Sequence, residues 1–381
     1  MYLISIWLAK LINRFITLFN LGAGHTWPGH IGLMLCPNFF DLAKKKLPKK
    51  IIIISGTNGK TTTSKLITHI LEKRDLKVLH NYTGANLLNG IASSILLHSS
   101  LDGSLNYDIA VFESDEFTLP KLLKHISPTV LVLLNLSRDQ LDRHWEIDVV
   151  LDKWVDAVVN LDSVTKLVLD KEQKEFAKIT AVFNGKTLYF DDNPSVLRFS
   201  NLHGSFNAKN SNAAVLGVSL IGISKEIAIQ SLNDFEVAYG RGEVIKYKEK
   251  EFQLFLAKNP KSVNENLRML LGSEIVYDAL LFILNDKVPD GHDVSWIYDV
   301  DPEMLKKVCG DKKVFVSGTR AGDMAIRLNY AGVKVFGENV KYDLNGLVGK
   351  IATADLHKLV VLPNYSAMLE VRKVLTGKKI L

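Results

Sequence analysis

Short runs of mostly apolar residues alternate with helical stretches along most of this chain, and this alternation limits the folds open to it. The first such runs cover residues 51–54, 109–112, 130–134, 167–169 and 187–190. Between them, residues 62–74 and 149–160 carry apolar side chains at helical spacing. A strand that is apolar at every position has both faces buried, which is typical of a parallel sheet covered by helices on each side. The pattern therefore predicts an α/β fold with a parallel-rich sheet.

A second α/β series begins near Glu243, with predicted strands at residues 252–257, 279–284, 314–317 and 359–362. Residues 239–242, Tyr-Gly-Arg-Gly, separate the two series and predict a hinge. At about 150 residues per domain, the length allows two or three domains. We expect an N-terminal helix with a Gly/Pro-rich linker (residues 1–45), a central domain (46–242) and a smaller, Rossmann-like α/β domain (243–381).

The N-terminal segment is apolar, but Lys10 and Arg14 interrupt it. No run approaches the roughly 20 apolar residues of a membrane span, and the charge order and cleavage site of a signal peptide are missing. Apolar residues at helical spacing predict an amphipathic helix. The favoured interpretation is a helix docked on its own domain; the alternative is a helix that also rests on a membrane surface.

A glycine loop follows the first apolar run and leads directly into a predicted helix. Backbone N–H groups in such a loop can turn toward a phosphate, and the helix N-terminus adds positive potential. Lys60 supplies a charge for the β- and γ-phosphates, and the Thr61 hydroxyl suits Mg²⁺. With two residues between its glycines instead of four, the loop is a variant of the GxxxxGK[ST] motif. We predict nucleotide binding by Gly56, Thr57, Asn58, Gly59, Lys60, Thr61 and Thr62.

Charged and polar residues directly follow two other apolar runs. Glu113 begins the segment Glu-Ser-Asp-Glu, and residues 135–144 follow the run at 130–134. Ligands of open α/β sheets bind at the carboxyl ends of strands. A carboxylate at this edge could hold Mg²⁺ beside the phosphates, although any one of these side chains could instead cap a helix.

Charge and cysteine content exclude several classes of protein. The formal net charge is +6, which fits anionic small substrates or an anionic membrane surface. There is no basic stripe with interleaved aromatic residues, so we expect no nucleic-acid partner. Cys36 and Cys309 are the only cysteines, which excludes a disulfide framework and a four-cysteine zinc site. We expect a cytoplasmic protein.

The phosphate loop, Glu113 and a block at Asn135, Asp139, Asp142 and Arg143 together resemble the Mur ligases, ATP-dependent enzymes that join amines to carboxylates through an acyl phosphate. Residues 204–210 resemble the Gly-x-x-Asn-x-x-Asn segment of that family, and residues 240–243 resemble its domain junction. The second half is similar to the MurT family in particular. The MurT-like segments are residues 22–30, 256–260, 290–299, 317–321, 324–332 and 364–369.

This resemblance implies a Mur-ligase-like central ATP-binding domain and a C-terminal domain of the MurT type. MurT proteins are the synthetase subunits of lipid II isoglutaminyl synthase, and their partner GatD is a glutaminase. The implied reaction is amidation of the D-glutamate α-carboxylate in the stem peptide of lipid II, or of a related muropeptide, to D-isoglutamine. The implied cofactors are ATP and Mg²⁺.

The resemblance also implies roles for single residues. Thr61 and Glu113 would hold Mg²⁺, and Asn86 matches a family asparagine near the metal. Further nucleotide-binding residues would be Asn210, near the adenine, and Arg241, at the domain junction. Lys258 matches a position where domain closure brings a cation to the γ-phosphate, although a lysine directly after a strand is often only solvated.

Glutamine hydrolysis needs a Cys–His pair with an acid that orients the histidine. Neither cysteine is a plausible nucleophile, so a second polypeptide must supply it. In the MurT family the Asp-Val-Ser-Trp segment supplies the third member of that triad, which implies Asp293, with Asp299 as the next candidate. Asp293 could instead be a cap residue, but we expect Trp296 and Tyr298 to be exposed aromatics suited to an interface.

The sequence departs from the family in two places. MurT proteins commonly carry a four-cysteine zinc ribbon in the central domain, whereas residues 166–202 contain no cysteine, so we expect no zinc. We expect folding and ATP chemistry to survive without it. Gln140 stands where many Mur ligases carry a histidine, and Lys153 is not assigned as a carbamylated lysine.

Two other functions stay open. The chain could be a Mur-type amide ligase acting on a different acid or amine, although the MurT-like segments argue against an amino-acid pocket. It could also be a non-catalytic nucleotide-binding subunit that regulates a partner, although the intact Lys60, Thr61 and Glu113 argue against that.

Overall fold

The computed structural model describes residues 1–19, 26–82, 84–137, 147–197, 202, 204–235, 240–272 and 275–378. Three parts of the sequence interpretation lie outside these residues. They are residues 22–25 of the first MurT-like segment, Tyr239 of the hinge, and the strand-end residues Asp139, Gln140, Asp142 and Arg143.

The first half folds around a six-stranded sheet in the order β2-β3-β1-β4-β5-β6, in which every pair is parallel. The predicted α/β class with a parallel-rich sheet is confirmed. Its strands are β1 (Lys50–Ser55), β2 (Val78–His80), β3 (Ile109–Glu113), β4 (Val130–Leu133), β5 (Lys166–Asp170) and β6 (Lys186–Phe190).

Both faces of this sheet are buried, which explains the unbroken apolar runs. Ile51 and Ile53 belong to one hydrophobic cluster and Ile52 and Ile54 to another, because successive side chains of a strand point to opposite faces. The helices of this half are α1 (Tyr2–Leu18), α2 (Trp27–Leu35), α3 (Phe39–Ala43), α4 (Lys60–Glu72), α5 (Leu88–His98), α6 (Leu119–Leu123), α7 (Ile147–Val159), α8 (Ala177–Thr180), α9 (Ser205–Ser219) and α10 (Lys225–Gln230).

The strand order places the predicted site residues at one edge. Because β1 lies between β3 and β4, the loop after β1, Glu113 at the end of β3 and Asn135 after β4 meet at the carboxyl ends of three adjacent strands. This is where chain connections diverge to either side of β1, the position at which open α/β sheets bind ligands.

The N-terminal helix docks on its own domain, as predicted. Ile6 and Ala9 of α1 are buried in the same cluster as Phe39 and Ile91. Among the described residues, none of the helices combines the length and the apolar character needed to cross a bilayer.

The described part of residues 166–202, where MurT proteins commonly carry a zinc ribbon, packs here through hydrophobic side chains. Short 3₁₀ turns at Lys174–Phe176 and Pro194–Leu197 flank β6. Phe176 is buried, and its ring lies 6.2 Å from that of Trp154 on α7. Ile179 and Phe183 belong to the same cluster.

The second half contains a six-stranded sheet in the order β11-β10-β9-β12-β8-β7, parallel except for the β7–β8 pair. Its first strand begins at Arg241, inside the stretch predicted as a hinge. The strands are β7 (Arg241–Tyr247), β8 (Lys250–Phe255), β9 (Ala279–Ile283), β10 (Lys313–Ser317), β11 (Val340–Lys341) and β12 (Lys358–Pro363). The helices are α11 (Pro260–Gly272), α12 (Pro302–Cys309), α13 (Ala321–Tyr330), α14 (Leu344–Thr353) and α15 (Tyr365–Thr376), with 3₁₀ turns at Ser295–Asp299 and Gly337–Asn339.

Candidate active site

The glycine loop connects β1 to α4 and depends on two glycines with positive φ. Gly56 has φ +139°, and a Cβ there would lie 2.9 Å from the backbone nitrogen of Asn135. Gly59 has φ +89°, and a Cβ there would lie 2.2 Å from Asn210 Oδ1. A side chain at either position would therefore combine backbone strain with a steric clash.

Asn135 anchors the first part of the loop to the end of β4. Its carbonyl oxygen accepts the N–H of Thr57 at 2.9 Å, and its Oδ1 accepts the N–H of Asn58 at 3.1 Å. Its Nδ2 donates back to the carbonyl oxygen of Asn58 at 2.9 Å. These two N–H groups are therefore directed at Asn135, in contrast to the expectation that they face a phosphate. The first turn of α4 leaves N–H groups without intrahelical acceptors, and such a turn can bind an anion.

Lys60 opens α4 and is buried with Glu116. Its Nζ lies 3.0 Å from Glu116 Oε2 and 3.3 Å from the carbonyl oxygen of Thr57, and it also donates to the carbonyl oxygen of Gly56. The side chains of Lys60 and Glu116 are 9% and 4% exposed. Glu116 is not among the predicted site residues. The available signal was its place in the strand-end segment, three residues after Glu113.

Thr61, Asn86 and Glu113 form a cluster beside this lysine. Glu113 Oε1 accepts the Thr61 hydroxyl at 3.2 Å and the Asn86 side-chain N–H at 3.3 Å. Asn81 fixes the backbone of Glu113 through two hydrogen bonds of 2.9 Å. The second carboxylate oxygen, Oε2, is buried and has no hydrogen-bond partner among the described residues. A hydroxyl, an amide and a carboxylate with one unsatisfied oxygen match the oxygen ligands that Mg²⁺ prefers.

Asn210 lies beneath the loop, in α9. It is 2% exposed, and its Oδ1 is 3.4 Å from the Thr63 hydroxyl. Its Nδ2 is buried without a partner among the described residues. Its oxygen is therefore directed at Gly59 and Thr63, and its amide nitrogen is buried beneath the loop.

Residues from the second half also contact the loop. Arg241 donates from Nη1 to the Thr62 hydroxyl. Asn259 Nδ2 donates to Asn58 Oδ1 at 3.2 Å, a contact that sequence analysis did not anticipate. Lys258 is half-buried, and its N–H donates to Ser262 Oγ at 3.0 Å at the start of α11. The two halves thus meet at the phosphate loop.

Cations accumulate at this junction. Burial lowers the pKa of Arg241, and the charge of Glu113 opposes that shift. Burial likewise lowers the pKa of Lys65, and the charge of Arg241 lowers it further. A bound polyanion would stabilise the crowded charges of Arg241 and Lys65, because each would gain a counter-charge.

His80, at the end of β2, is not one of these cations. Burial lowers its pKa to about 3, so this histidine is neutral at pH 7.

Asp293 lies in the second half of the chain, just before the 3₁₀ turn Ser295–Asp299. It is remote in sequence from the phosphate loop. It is exposed, and its Oδ1 accepts the N–H of Ser295 at 2.8 Å. Hydrogen bonds from Ser295 hold the pKa of Asp293 below its usual range. The carboxylate therefore binds the first N–H of the 3₁₀ turn Ser295–Asp299 from outside the turn and remains accessible.

The expectation that Trp296 and Tyr298 are both exposed is wrong for Trp296. Its side chain is 6% exposed and belongs to the core between β9 and α13, whereas Tyr298 is 51% exposed. The turn directs one side chain inward and the other outward. Asp290 is also buried and accepts the N–H of Ser366 at 3.0 Å, so it stabilises the start of α15.

Lys153 lies with its Nζ 4.5 Å from the centre of the Phe117 ring. Among the residues that the structure describes, no group of three or more His, Cys, Asp or Glu side chains is arranged to hold a metal ion. Cys36 and Cys309 are both buried.

Two protein-family descriptions match this chain. The Mur ligase middle domain matches residues 54–193, and the MurT ligase C-terminal family matches residues 256–368. The first match includes Thr61, Asn86 and Glu113, and the second includes Asp293.

The chain is similar over most of its length to proteins named lipid II isoglutaminyl synthase (glutamine-hydrolyzing) subunit MurT. The protein from Staphylococcus aureus (strain COL) is 30% identical, and the match covers 75% of this chain and 78% of that protein. The protein from Streptococcus pneumoniae (strain ATCC BAA-255 / R6) is 26% identical, with 98% of this chain and 97% of that protein covered.

Solved structures of Mur ligases share the fold. MurF from Acinetobacter baumannii superimposes with a TM-score of 0.68 at 17% identity, covering 91% of this chain and 80% of that one. MurF from Thermotoga maritima in complex with ADP gives a TM-score of 0.66 at 14% identity, covering 91% and 83%. The S. aureus relative and the two family matches show that this chain belongs to the MurT family of Mur ligases.

Proposed function

We propose that this chain is the synthetase subunit that amidates the α-carboxylate of D-glutamate in the stem peptide of lipid II, using ATP, Mg²⁺ and ammonia. The observation that carries the proposal is the cluster of Thr61, Asn86 and Glu113 beside Lys60 at the N-terminus of α4. This cluster can bind a triphosphate and a divalent cation together. The name of the S. aureus and S. pneumoniae relatives supports the choice of substrate.

The proposed chemistry proceeds in two steps. A carboxylate oxygen of the substrate attacks the γ-phosphorus of ATP, and ADP leaves with the electrons of the broken P–O bond. The lone pair of ammonia then attacks the acyl carbon, phosphate leaves, and the nitrogen loses a proton. The protein must position three reactants and neutralise the phosphate charge, because a carboxylate alone is a poor electrophile.

Lys60 supplies a positive charge to the phosphates when its ammonium turns from Glu116 toward the bound nucleotide. The first-turn N–H groups of α4 donate to the same phosphates. Thr61 and Glu113 would hold Mg²⁺, with Asn86 beside them, and the bound ion would neutralise charge on the β- and γ-phosphates. The buried, unpaired Oε2 of Glu113 supports this assignment.

Contacts across the two halves keep water from the intermediate. Arg241 and Asn259 reach the loop from the second half, and Lys258 lies beside Asn259 at the start of α11. An acyl phosphate hydrolyses readily, so a closed junction favours attack by ammonia over attack by water. We assign ATP chemistry to the central domain, predicted as residues 46–242, and closure to the second domain, predicted as residues 243–381, which in the fold also takes in Arg241 and Gly242 as the start of β7.

The ammonia comes, in this proposal, from a GatD-type glutaminase bound to the second domain. Asp293 is exposed and deprotonated at neutral pH, as the orienting acid of a Cys–His pair must be. The buried Cys36 and Cys309 are unsuited to nucleophilic attack on glutamine. The proposed location is the cytoplasm, where ATP is available.

Mass spectrometry of the product tests this function. The chain is incubated with lipid II, ATP and Mg²⁺, first with ammonium and then with glutamine. A loss of about one mass unit, as OH becomes NH₂, is expected with ammonium alone, and glutamine should serve only after a glutaminase is added. ATP binding without a mass change under either condition would refute the proposal and favour a different acid, a different amine or a regulatory role.

A further inference from the structure

One face of α1 carries a continuous row of large apolar side chains that the described part of the chain leaves exposed. We call this row the apolar stripe. Its members are spaced three or four residues apart, so they lie on one side of the helix. At least half of each residue is exposed: Ile4 50%, Trp7 52%, Leu11 64%, Phe15 55% and Leu18 77%.

The opposite side of α1 is fixed to the domain, so the stripe is held outward. Ser5, Ile6 and Ala9 are buried against the body of the domain. The Trp7 indole N–H donates to the carbonyl oxygen of Leu101 at 2.8 Å, and Lys10 Nζ donates to that of Leu97 at 2.7 Å. Both bonds tie α1 to one neighbouring segment, the end of α5 and the turn after it, and together with the buried residues they keep the helix from rolling to bury the stripe.

The helix that carries the stripe has cations and no acid of its own, and one exposed acid, Asp102, lies on the adjoining segment beside Leu101, whose carbonyl oxygen accepts the Trp7 N–H. The sequence contains no Asp or Glu before Asp41, whereas Lys10 and Arg14 lie within α1. Both cations line a groove of about 460 Å³ between α1 and the end of α5, and Leu18 of the stripe lines it too. An apolar surface beside a cationic groove is complementary to a membrane with anionic headgroups over acyl chains.

We propose that the apolar stripe docks this protein on an anionic phospholipid surface, with α1 lying along the interface. Trp7 and Phe15 are amphipathic or aromatic anchors of the kind enriched at that depth, and Arg14 contacts the headgroups. The helix rests on the bilayer without crossing it. The inference takes from the proposed function that the substrate is lipid-linked, since docking then holds the chain at the surface that carries its substrate.

Charge favours this occupant over two others. A second copy would bring the same cations against each other, because a symmetric dimer pairs a surface with itself. A glutaminase that uses Asp293 would bind the second half, because Asp293 lies there. The apolar stripe lies on the first half. Both remain distinguishable outcomes of the test.

Vesicle flotation of the full chain tests the proposal, with phosphatidylcholine vesicles and with mixed phosphatidylglycerol–phosphatidylcholine vesicles as probes. We expect flotation with the mixed vesicles that weakens as salt is added. The double variant Leu11→Glu/Phe15→Glu should lower the partition coefficient by about tenfold or more, because two large apolar contacts are lost and two charges added. Arg14→Gln should lower it less.

The matched control is Val164→Glu/Val276→Glu, which adds the same charges at side chains that are 71% and 74% exposed elsewhere. It should float like the unmodified chain. ATP-dependent amidation of lipid II dissolved in a non-ionic detergent, with ammonium as donor, should be equal in all variants. Failure of that reaction in the unmodified chain would refute the proposed function and leave the flotation result standing on its own.

Three results would overturn the docking proposal. The first is no flotation of the unmodified chain with either vesicle. The second is equal flotation of Leu11→Glu/Phe15→Glu and the control. The third is a dimer, or a complex with the glutaminase, that the stripe variant abolishes while the control retains it, because the stripe would then be a protein interface.

Discussion

Replacing Lys60 tests the role of the phosphate loop, but the structure predicts that truncation of this side chain to alanine will also lower the free energy of unfolding. Lys60 and Glu116 form an ion pair of 3.0 Å with side chains only 9% and 4% exposed. Lys60→Ala removes the ammonium and leaves the Glu116 carboxylate buried beside two carbonyl oxygens. Breaking a buried pair in this way costs about 3–5 kcal/mol.

The expected loss is measurable by thermal unfolding. For a domain of this size, about 1 kcal/mol lowers Tm by about 2–4 °C, so Lys60→Ala should lower the transition by about 6–20 °C. The matched control is Lys73→Ala, at the other end of α4. Lys73 pairs with Asp234 at a solvent-exposed position, so its loss should leave Tm nearly unchanged.

A double variant separates the folding effect from the chemistry. Lys60→Met/Glu116→Gln keeps the volumes and removes both charges, so it should recover most of the lost Tm. It should still lack ATP-dependent amidation with ammonium, because no ammonium group can reach the phosphates. Full activity in the double variant would refute the role of Lys60. A Lys60→Ala variant as stable as the unmodified chain would refute the buried ion pair.

Three further predictions follow from single side chains. Glu113→Gln should raise the Mg²⁺ concentration needed for half-maximal amidation by about tenfold or more. The substitution removes the negative charge of the cluster but keeps the hydrogen bonds from Thr61 and Asn86. An unchanged Mg²⁺ titration would assign the metal to other residues. Asp293→Ala should abolish glutamine-driven amidation and spare ammonium-driven amidation, with Asp299→Ala as the comparison, and loss of both reactions would place Asp293 in the synthetase or the fold. Burial raises the pKa of Cys309 to about 12 and also raises that of Cys36, so a thiol reagent at pH 8 should label neither cysteine in the native chain and both after denaturation. Rapid native labelling would mean that a buried thiol is accessible.

The strands that the sequence does not predict are those without a local signal. β2 has three residues and β11 two, too short for a periodic pattern, and β7 lies at the edge of its sheet with a mixed burial pattern. β1 was predictable because four consecutive isoleucines can be buried only where both sheet faces are covered. Trp296 shows where prediction of burial from sequence fails. The sequence places it near a cap residue, but the direction of the 3₁₀ turn decides that its side chain enters the core.

The amino-acid sequence alone determines the α/β class, the phosphate loop and the membership of Thr61 and Glu113 in one strand-end site, because each depends on local periodicity or on strands ending at a common edge. The tertiary structure decides which groups actually meet. Glu116 reaches Lys60, Asn135 takes the N–H groups of Thr57 and Asn58, and Asn259 reaches the loop from 201 residues away along the chain. These contacts depend on how separate elements pack, and no short-range pattern in a sequence encodes the distance between two side chains that are remote along the chain.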